Sequence, residues 1–483
     1  MRGAKSKRQR RPGSDGRRGG HLLGHPLNKP IISISGIRGI LGKSLTPEII
    51  IKYTSAFVRF AGSEVTKQYY QRKRVVVGRD GRLFGDLIEN IIISVLSLSG
   101  CEVIAIGITP TPTIALAVKS LKANGGVSIT ASHNPQQWNG MKFINRHGYF
   151  LDKPEINRLL KLSGQHSYAG IVKIKRTEYF PNFSSFHVSK ILNSRFVNVS
   201  KVRKRKFKVV LDCINCSGSF IIPMLLKKLG CRVVKVNCDG SGIFPRKPEP
   251  LPQNIKRTCK LVKKSKADLG IVVDPDSDRL VIITEKGQPF GEEYTITTAI
   301  NHIFKYTPEN KRVAVVNLST TRAVDDIVKK YNGRLYRAPV GEINVIKKMK
   351  QCNAIIGGEG SGGIILPEVN YCRDALMGIG LLLSEFAESG VVVSEYRKSL
   401  PQYLIVKEKM RTNLNATKII NRLSRKYKKY KQNLQDGLRI DFPDSWINFR
   451  KSNTEPIIRI IAEAKTKKLT RDLLGMFKKK HLF

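Results

Sequence analysis

The sequence predicts an α/β protein: three similar mixed α/β domains, then a smaller C-terminal α+β domain. Three observations carry this. Continuous apolar runs such as Val75-Val76-Val77, Val103-Ile104-Ala105-Ile106 and Ile271-Val272-Val273 alternate with segments of helical period, the signature of a parallel sheet covered on both faces. The alternation recurs in three successive stretches of similar length, which suggests duplication of one unit. After residue 398 the pattern changes to a helix among short strands.

Length and composition agree. The 483 residues suit about three domains, with room for four, and 41% hydrophobic residues supply real cores. No run of about 18 apolar residues occurs, so no membrane span is expected and the expected location is cytoplasmic. Eight cysteines are scattered along the chain, the usage of a reducing compartment. Cys213-Ile214-Asn215-Cys216 is a lone CxxC without a second pair at zinc spacing, which argues against metal or redox use. The chain carries 86 Lys+Arg against 37 Asp+Glu, a net charge of +49. Such an excess attracts polyanions. It is spread over many helix-like faces, among them Lys227-Lys228, Lys263-Lys264, Lys347-Lys348 and Arg425 to Lys431, and no base-stacking or groove-reading motif accompanies it. A solvated basic surface is expected rather than nucleic-acid binding.

Residues 1–30 hold Lys5, Lys7, Arg8, Arg10, Arg11, Arg17 and Arg18 among glycines, without the apolar core of a signal peptide. A disordered basic extension is expected there. The first domain, 31–180, opens on a strand ending in Gly36-Ile37-Arg38-Gly39, whose glycines leave Arg38 exposed. Thr46, Pro47 and Glu48 start a helix. A strand from Arg74 to Gly78 precedes Arg79-Asp80-Gly81-Arg82, and a later one leads into Thr109-Pro110-Thr111-Pro112-Thr113. The run Gly126 to Ile129 ends in Thr130-Ala131-Ser132-His133-Asn134-Pro135, where Asn134 and Pro135 favour a turn. Ser132 is therefore a hydroxyl on a fixed loop beside His133, at a strand end where open α/β sheets place ligands. Alone, this stretch reads first as an ordinary strand-end turn and only second as a nucleophile loop.

In the second domain, 181–286, a linker around Arg203 to Lys206 gives way to a second α/β unit. Its strand Leu269 to Val273 delivers Asp274-Pro275-Asp276-Ser277-Asp278-Arg279. Three carboxylates alternating over five residues repel one another unless a cation sits among them. Oxygen ligands suit a hard ion, and Mg²⁺ when a phosphate oxygen completes the shell. The bland reading is an acidic turn; a calcium loop lacks its Gly and Glu here. The third domain, 287–398, carries Gly357-Gly358-Glu359-Gly360-Ser361-Gly362-Gly363. Glu359 would repel a phosphate, so the loop suits sugar hydroxyls better than phosphate. The fourth domain, 399–483, has a helix from Thr417 to Tyr430 and a loop with Arg450, Ser452, Asn453 and Thr454. That donor density suits a phosphate, with a surface turn as the alternative.

Together the serine loop, the aspartate loop, Gly357 to Gly363 and Arg450 to Glu455 resemble the α-D-phosphohexomutase family, over about residues 31 to 470. Gly36 to Gly39, Asn139-Gly140-Met141-Lys142, Pro248 to Pro252 and Val340-Gly341-Glu342 match as well. The resemblance implies four domains around a central cleft. It implies an isomerase that moves a phosphoryl group between O6 and O1 of a hexose phosphate through a bisphosphorylated sugar. Ser132 would be the phosphoserine, and Asp274, Asp276 and Asp278 would hold Mg²⁺ with its phosphate. Arg38, His133, Lys142 and Arg279 would line the catalytic centre, with Lys142, desolvated among cations, as base. Glu359 and Ser361 would grip the sugar. Arg450, Ser452, Asn453 and Thr454 would hold the phosphate not being transferred. A hexose bisphosphate would serve as activator, and a monomer or homodimer is expected. Gln137-Trp138-Asn139 and Arg373-Asp374 look most like phosphoglucosamine mutases, with phosphomannomutase/phosphoglucomutase close behind. A basic nucleic-acid-binding protein on a mutase-like fold is the rival of another class, against which the intact Ser132, aspartates and Arg450 argue. The chain departs from the family at Gly363, where many members have histidine, and at Arg246, Lys247, Lys451 and Cys372.

Overall fold

The computed structural model describes residues 29–63, 73–165, 174–180, 183–412, 415–451 and 457–478. Residues 1–28 of the expected extension lie outside these, as do Ser452, Asn453 and Thr454.

The apolar runs form the centres of three sheets. In the first, Arg74–Arg79 lies between Glu102–Ile108 and Gly125–Ile129, parallel to both, and Val75, Val76 and Val77 are fully buried. Trp138–Asn145 then runs antiparallel beside Gly125–Ile129, followed by Gly36–Ile40 and Ile31–Ser33. The second sheet has the order Leu280–Thr284, Leu269–Val273, Lys208–Asp212, Arg232–Val236. The third has Arg334–Ala338, Val313–Asn317, Ile356–Glu359, Gly363–Ile365.

These sheets are mixed rather than wholly parallel, and the reason is local. In each unit the last core strand reverses through a short loop, and so short a connection joins antiparallel neighbours, since a parallel pair needs a crossover of a dozen or more residues. Gly125–Ile129 turns into Trp138–Asn145, Leu269–Val273 into Leu280–Thr284, and Ile356–Glu359 into Gly363–Ile365. The serine, aspartate and glycine-rich motifs are those three turns. Each contains a left-handed residue: Ser132 at φ 50°, Ser277 at φ 51° and Gly362 at φ 90°. Each of the three units therefore presents one reversing loop at the same place in its sheet.

Helices cover the sheets as their spacing predicts. Pro47–Ser63 starts where Thr46 and Pro47 place it, and the Thr46 hydroxyl holds the Glu48 carboxyl below its ordinary range. It buries Tyr53, Ala56, Phe57 and Phe60, with Phe57 stacked on Phe143 at 4.9 Å between centroids. Each such aromatic contributes about 1.5–3 kcal/mol by burial. Ala375–Ser389, capped by the Asp374 side chain on Leu376 and Met377 N–H, lies in a core shared by the second and third units. No single helix among the described residues is long and apolar enough to cross a membrane.

The last domain is a five-stranded antiparallel sheet, Leu404–Arg411, Ile457–Ala464, Ser445–Lys451, Leu438–Asp441, Lys431–Asn433. Ala416–Lys426 and Lys467–Lys478 pack on it around Phe449, Leu423 and Phe477. The helix expected to reach Tyr430 ends at Lys426, because Tyr427 turns in to pack on Phe477 at 4.9 Å. The expected linker at Arg203 to Lys206 is instead the end of the helix Val199–Arg205, which Asn198 caps and Val202 anchors in the core. Backbone bonds stitch the units together at their loops: Ser217 N to Asp80 O at 2.7 Å, Thr111 N to Asp276 O at 3.1 Å and Leu280 N to Gly362 O at 3.0 Å.

Candidate active site

The reversing loops meet at one cleft of about 550 Å³. Arg38, Ser132, His133 and Lys142 line it from the first domain, Arg279 from the second, Glu359, Ser361 and Arg373 from the third, and Arg450 from the fourth.

The serine loop is held from behind. Arg82, fully buried, donates to the Ser132 carbonyl at 2.6 Å and the Trp138 carbonyl at 2.5 Å. Its Nε pairs with Asp80 at 3.1 Å, Asp80 accepts from Thr130 Oγ1 at 2.6 Å, and Thr130 Oγ1 accepts from Ser132 N–H at 2.8 Å. This ring fixes Ser132 in its left-handed conformation. The Ser132 hydroxyl then donates to Asp274 Oδ2 at 3.3 Å and sits 3.3 Å from His133 Nδ1. Arg38 reaches the same loop through Asn134 at 3.0 Å.

Asp274, Asp276 and Asp278 lie directly beneath, fully buried, with oxygens within 4.8 Å of one another. Burial, then Asp278 and Asp276, push the Asp274 carboxyl well above its ordinary range. Burial opposes ionisation of Asp276 too, but Lys142 at 2.6 Å outweighs it and holds that carboxyl low. Asp276 Oδ1 and Asp278 Oδ1 have no hydrogen-bond partner among the described residues. Arg279 Nε lies 3.8 Å from Asp278 Oδ1, too far for a hydrogen bond. Buried carboxylate oxygens without a hydrogen bond, gathered this closely, fit a hard cation, and an all-oxygen set fits Mg²⁺. A second acidic group, His302 with Glu385 and Glu388, does not, because Lys305 already takes both oxygens of Glu385 at 2.5 Å.

Lys142 differs from expectation. Burial would lower it, but Asp276 and Asp278 outweigh burial and raise it. Its immediate neighbours are carboxylates rather than cations, so it stays an ammonium. His133 is the reverse. Burial and the charges of Arg279, Arg38 and Arg373 hold it well below its ordinary value, so the imidazole is neutral. Its Nδ1 lies 3.1 Å from Arg279 Nη2, and Arg279 Nη1 pairs with Glu249 at 2.9 Å.

On the opposite side, Glu359 accepts from Asn317 Nδ2 at 2.9 Å and Gly341 N–H at 3.0 Å. Arg450 lies on the strand Ser445–Lys451 rather than in a loop, and its Nε donates to Asp436 at 2.9 Å. Arg82 and Asp436, which support the cleft from behind, and Arg373, which lines it, were assigned no role from the sequence. Arg82 and Arg373 stand in stretches quoted above, but Asp436 stands in none, and the partners of all three are distant in the chain.

Residues 31–167, 185–287 and 292–404 match the phosphoglucomutase/phosphomannomutase α/β/α domains I, II and III, and residues 406–480 match the C-terminal domain of the same family. The chain belongs to the α-D-phosphohexomutase family. As a phosphohexomutase it is an isomerase acting in carbohydrate metabolism. It is 35% identical to the phosphoglucomutase/phosphomannomutase of Thermococcus kodakarensis over 449 residues, covering 91% of this chain and 96% of that one. It is 32% identical to the phosphoglucosamine/phosphogalactosamine mutase of Sulfurisphaera tokodaii over 460 residues, covering 93% and 98%. Its fold is that of a phosphoglucomutase/phosphomannomutase family protein from Burkholderia thailandensis, with TM-score 0.79 at 24% identity over 93% of this chain and 97% of the other. In this phosphohexomutase no side chain fits at position 363 while Arg373 keeps its place, because a Cβ there would run into Arg373 Cδ.

Proposed function

We propose that this phosphohexomutase interconverts glucosamine 6-phosphate and glucosamine 1-phosphate, with phospho-Ser132 as phosphoryl carrier, Mg²⁺ as its metal and a hexose bisphosphate as activator. The observation that carries this is the Ser132 hydroxyl at 3.3 Å from Asp274, between a buried three-carboxylate group and the cleft. Asp274, Asp276, Asp278 and the Ser132 phosphate would hold Mg²⁺, which when bound neutralises charge on the transferring phosphoryl oxygens. Arg38 and Arg279 add fixed positive charge on the cleft side. Neutral His133 accepts from Arg279 through Nδ1, which holds that guanidinium beside the serine loop.

In the forward half-reaction the bond from phosphorus to Ser132 Oγ breaks. A bond forms to the oxygen of the free sugar hydroxyl, whose proton passes through a base to the departing Ser132 Oγ, and the products are serine and a bisphosphorylated sugar. Lys142 serves as that base only when Asp276 and Asp278 are otherwise neutralised; beside the free carboxylates it is a counter-charge. Glu359 and Ser361 meet the sugar hydroxyls. Arg450, with Ser452, Asn453 and Thr454, holds the other phosphate. The sugar then turns end for end in the cleft and returns its other phosphoryl group to Ser132.

The glucosamine substrate is supported by relatives bearing that name, including the one from Sulfurisphaera tokodaii. A second reading, phosphomannomutase/phosphoglucomutase, is supported by the relative from Thermococcus kodakarensis. The deciding experiment offers glucosamine 6-phosphate, mannose 6-phosphate and glucose 6-phosphate separately, with Mg²⁺ and a hexose bisphosphate. Preferred turnover of glucosamine 6-phosphate supports the first reading, and preference for either neutral sugar the second. No turnover of any, with tight salt-sensitive RNA binding, would overturn both in favour of a basic nucleic-acid-binding protein on this fold.

A further inference from the structure

Arg373 has no part in the mechanism above, yet it sits between two of the loops. Its Nη2 donates to Asp278 Oδ2 at 2.5 Å and its Nη1 to Glu359 Oε2 at 2.5 Å. Its Nε lies 3.2 Å from Glu342 Oε2, and its backbone N–H donates to Glu342 Oε1 at 2.8 Å. A planar guanidinium can hold two carboxylates at fixed angles; an ammonium cannot. The carboxylates it joins have different duties. Asp278 belongs to the aspartate loop of the second domain, Glu359 to the glycine-rich loop of the third.

The consequences at each end are specific. With Asp278 Oδ2 taken by Arg373, the buried oxygen without a hydrogen-bond partner is Oδ1, which leaves Oδ1 for a cation. With Glu359 Oε1 taken by Asn317 and Gly341, Arg373 fixes the remaining oxygen at the cleft wall. A separate observation concerns position 363. A Cβ there would lie 2.3 Å from Arg373 Cδ and 2.9 Å from its Cγ. A side chain at 363 and Arg373 in this place exclude each other, so the glycine at 363 is what admits the guanidinium.

We propose that Arg373 is a positioning residue that couples the metal and the sugar, by orienting Asp278 toward the cation and Glu359 toward the sugar hydroxyls at once. This rests on Asp278 as a metal ligand and Glu359 as a sugar contact, as read above. Because one rigid group orients both carboxylates, occupancy of either site pre-orders the other, and the coupling is reciprocal.

The test uses the full chain carrying Ser132→Ala to block turnover. Mn²⁺ affinity is measured by electron paramagnetic resonance with and without glucosamine 6-phosphate. In this parent the sugar phosphate tightens Mn²⁺ binding. Arg373→Gln weakens Mn²⁺ by roughly 10–100-fold and removes the tightening. Arg373→Lys recovers part of the affinity without the coupling. Gly363→Ala, which keeps the arginine but displaces it, loses the coupling as well, and it decides the matter if Arg373→Gln does not fold. Unchanged Mn²⁺ affinity and coupling in Arg373→Gln and Gly363→Ala, or a parent without any coupling, overturns the proposal. Asp276→Asn separates the two levels. If it loses Mn²⁺ while the Arg373 variants do not, only the coupling falls. If it binds Mn²⁺ like the parent, the metal site falls and the coupling with it.

Discussion

The guanidinium of Arg82 donates to the Ser132 carbonyl at 2.6 Å. Ser132 has φ 50°, a left-handed conformation that costs a non-glycine residue roughly 1–2 kcal/mol. Arg82, Asp80 and Thr130 together hold the residue there. Arg82 does not line the cleft, so its effect reaches the reaction only through serine placement. Arg82→Lys keeps the charge and loses the fork. Its kcat should fall about 100-fold, the cost of a displacement of about 1 Å. KM should change by less than about twofold. Arg82→Ala leaves the buried Asp80 carboxylate unpaired and should lower stability by about 3–5 kcal/mol in urea unfolding. A lysine variant with full kcat would refute the clamp.

Asp436 joins the fourth domain to the third. Its Oδ1 accepts from Arg450 at 2.9 Å and its Oδ2 from Val340 N–H at 3.0 Å. Val340 precedes Gly341, whose N–H holds Glu359. Asp436→Ala frees Arg450 to wander from the site proposed for the resting phosphate. KM for the sugar phosphate should rise about tenfold, worth roughly 1.4 kcal/mol, with kcat much less affected. Steady-state kinetics on the variant would settle this, and an unchanged KM would count against Arg450 as the phosphate anchor.

The aspartate group gives a prediction that needs no substrate. Three buried carboxylates repel, and burial together with Asp278 and Asp276 already pushes Asp274 well up. A cation that binds them should raise the thermal midpoint, since ligand at about 100 times its Kd stabilises by about 2.7 kcal/mol. Mg²⁺ should raise the midpoint, EDTA should reverse the rise, and Asp276→Asn should abolish it. EDTA should also stop turnover. A midpoint indifferent to Mg²⁺ in the unaltered protein would remove the metal from the scheme.

The three apolar sheets and the reversing loops were legible because their signals are local. Val75 to Val77 read as a buried strand from composition alone, and Asp274, Asp276 and Asp278 alternate within five residues, which sets them together in either a strand or a turn. Antiparallel pairing was not legible, because it depends on how Trp138–Asn145 and Leu280–Thr284 fold back, and an apolar strand looks the same in either direction. The surroundings of Lys142 were also hidden. Its carboxylate partner Asp276 is 134 residues away, and sequence shows the cationic neighbours of the motif rather than the loop packed against it. Arg82 and Arg373 act at a distance of the same kind: Arg82 lies 50 residues before Ser132, and Arg373 lies 95 after Asp278. The basic run at Arg203 was misread for the opposite reason, since local charge outweighed the single buried Val202 that makes it a helix.

Glu293 supplies a pH-dependent test at the junction of the third and fourth domains. It opens the helix Glu293–Lys305, accepts from Thr321 N–H at 3.0 Å and lies 3.1 Å from Lys407 of the last domain. Burial pushes its carboxyl from 4.5 to about 7, although Lys407 pulls the other way. A carboxyl raised on folding binds its proton more tightly in the folded state. Its contribution to stability is therefore full below pH 4.5 and is lost as pH rises to about 7. Glu293→Gln removes this titration. The advantage of the unaltered protein over the variant should shrink by about 3 kcal/mol between pH 4.5 and pH 7.5, read from thermal midpoints at several pH values in between. Other titrating groups cancel in that difference, because both proteins carry them. An advantage that instead grew across the same window would mean that the Lys407 pair governs Glu293, and that this domain contact strengthens rather than weakens as the carboxyl ionises.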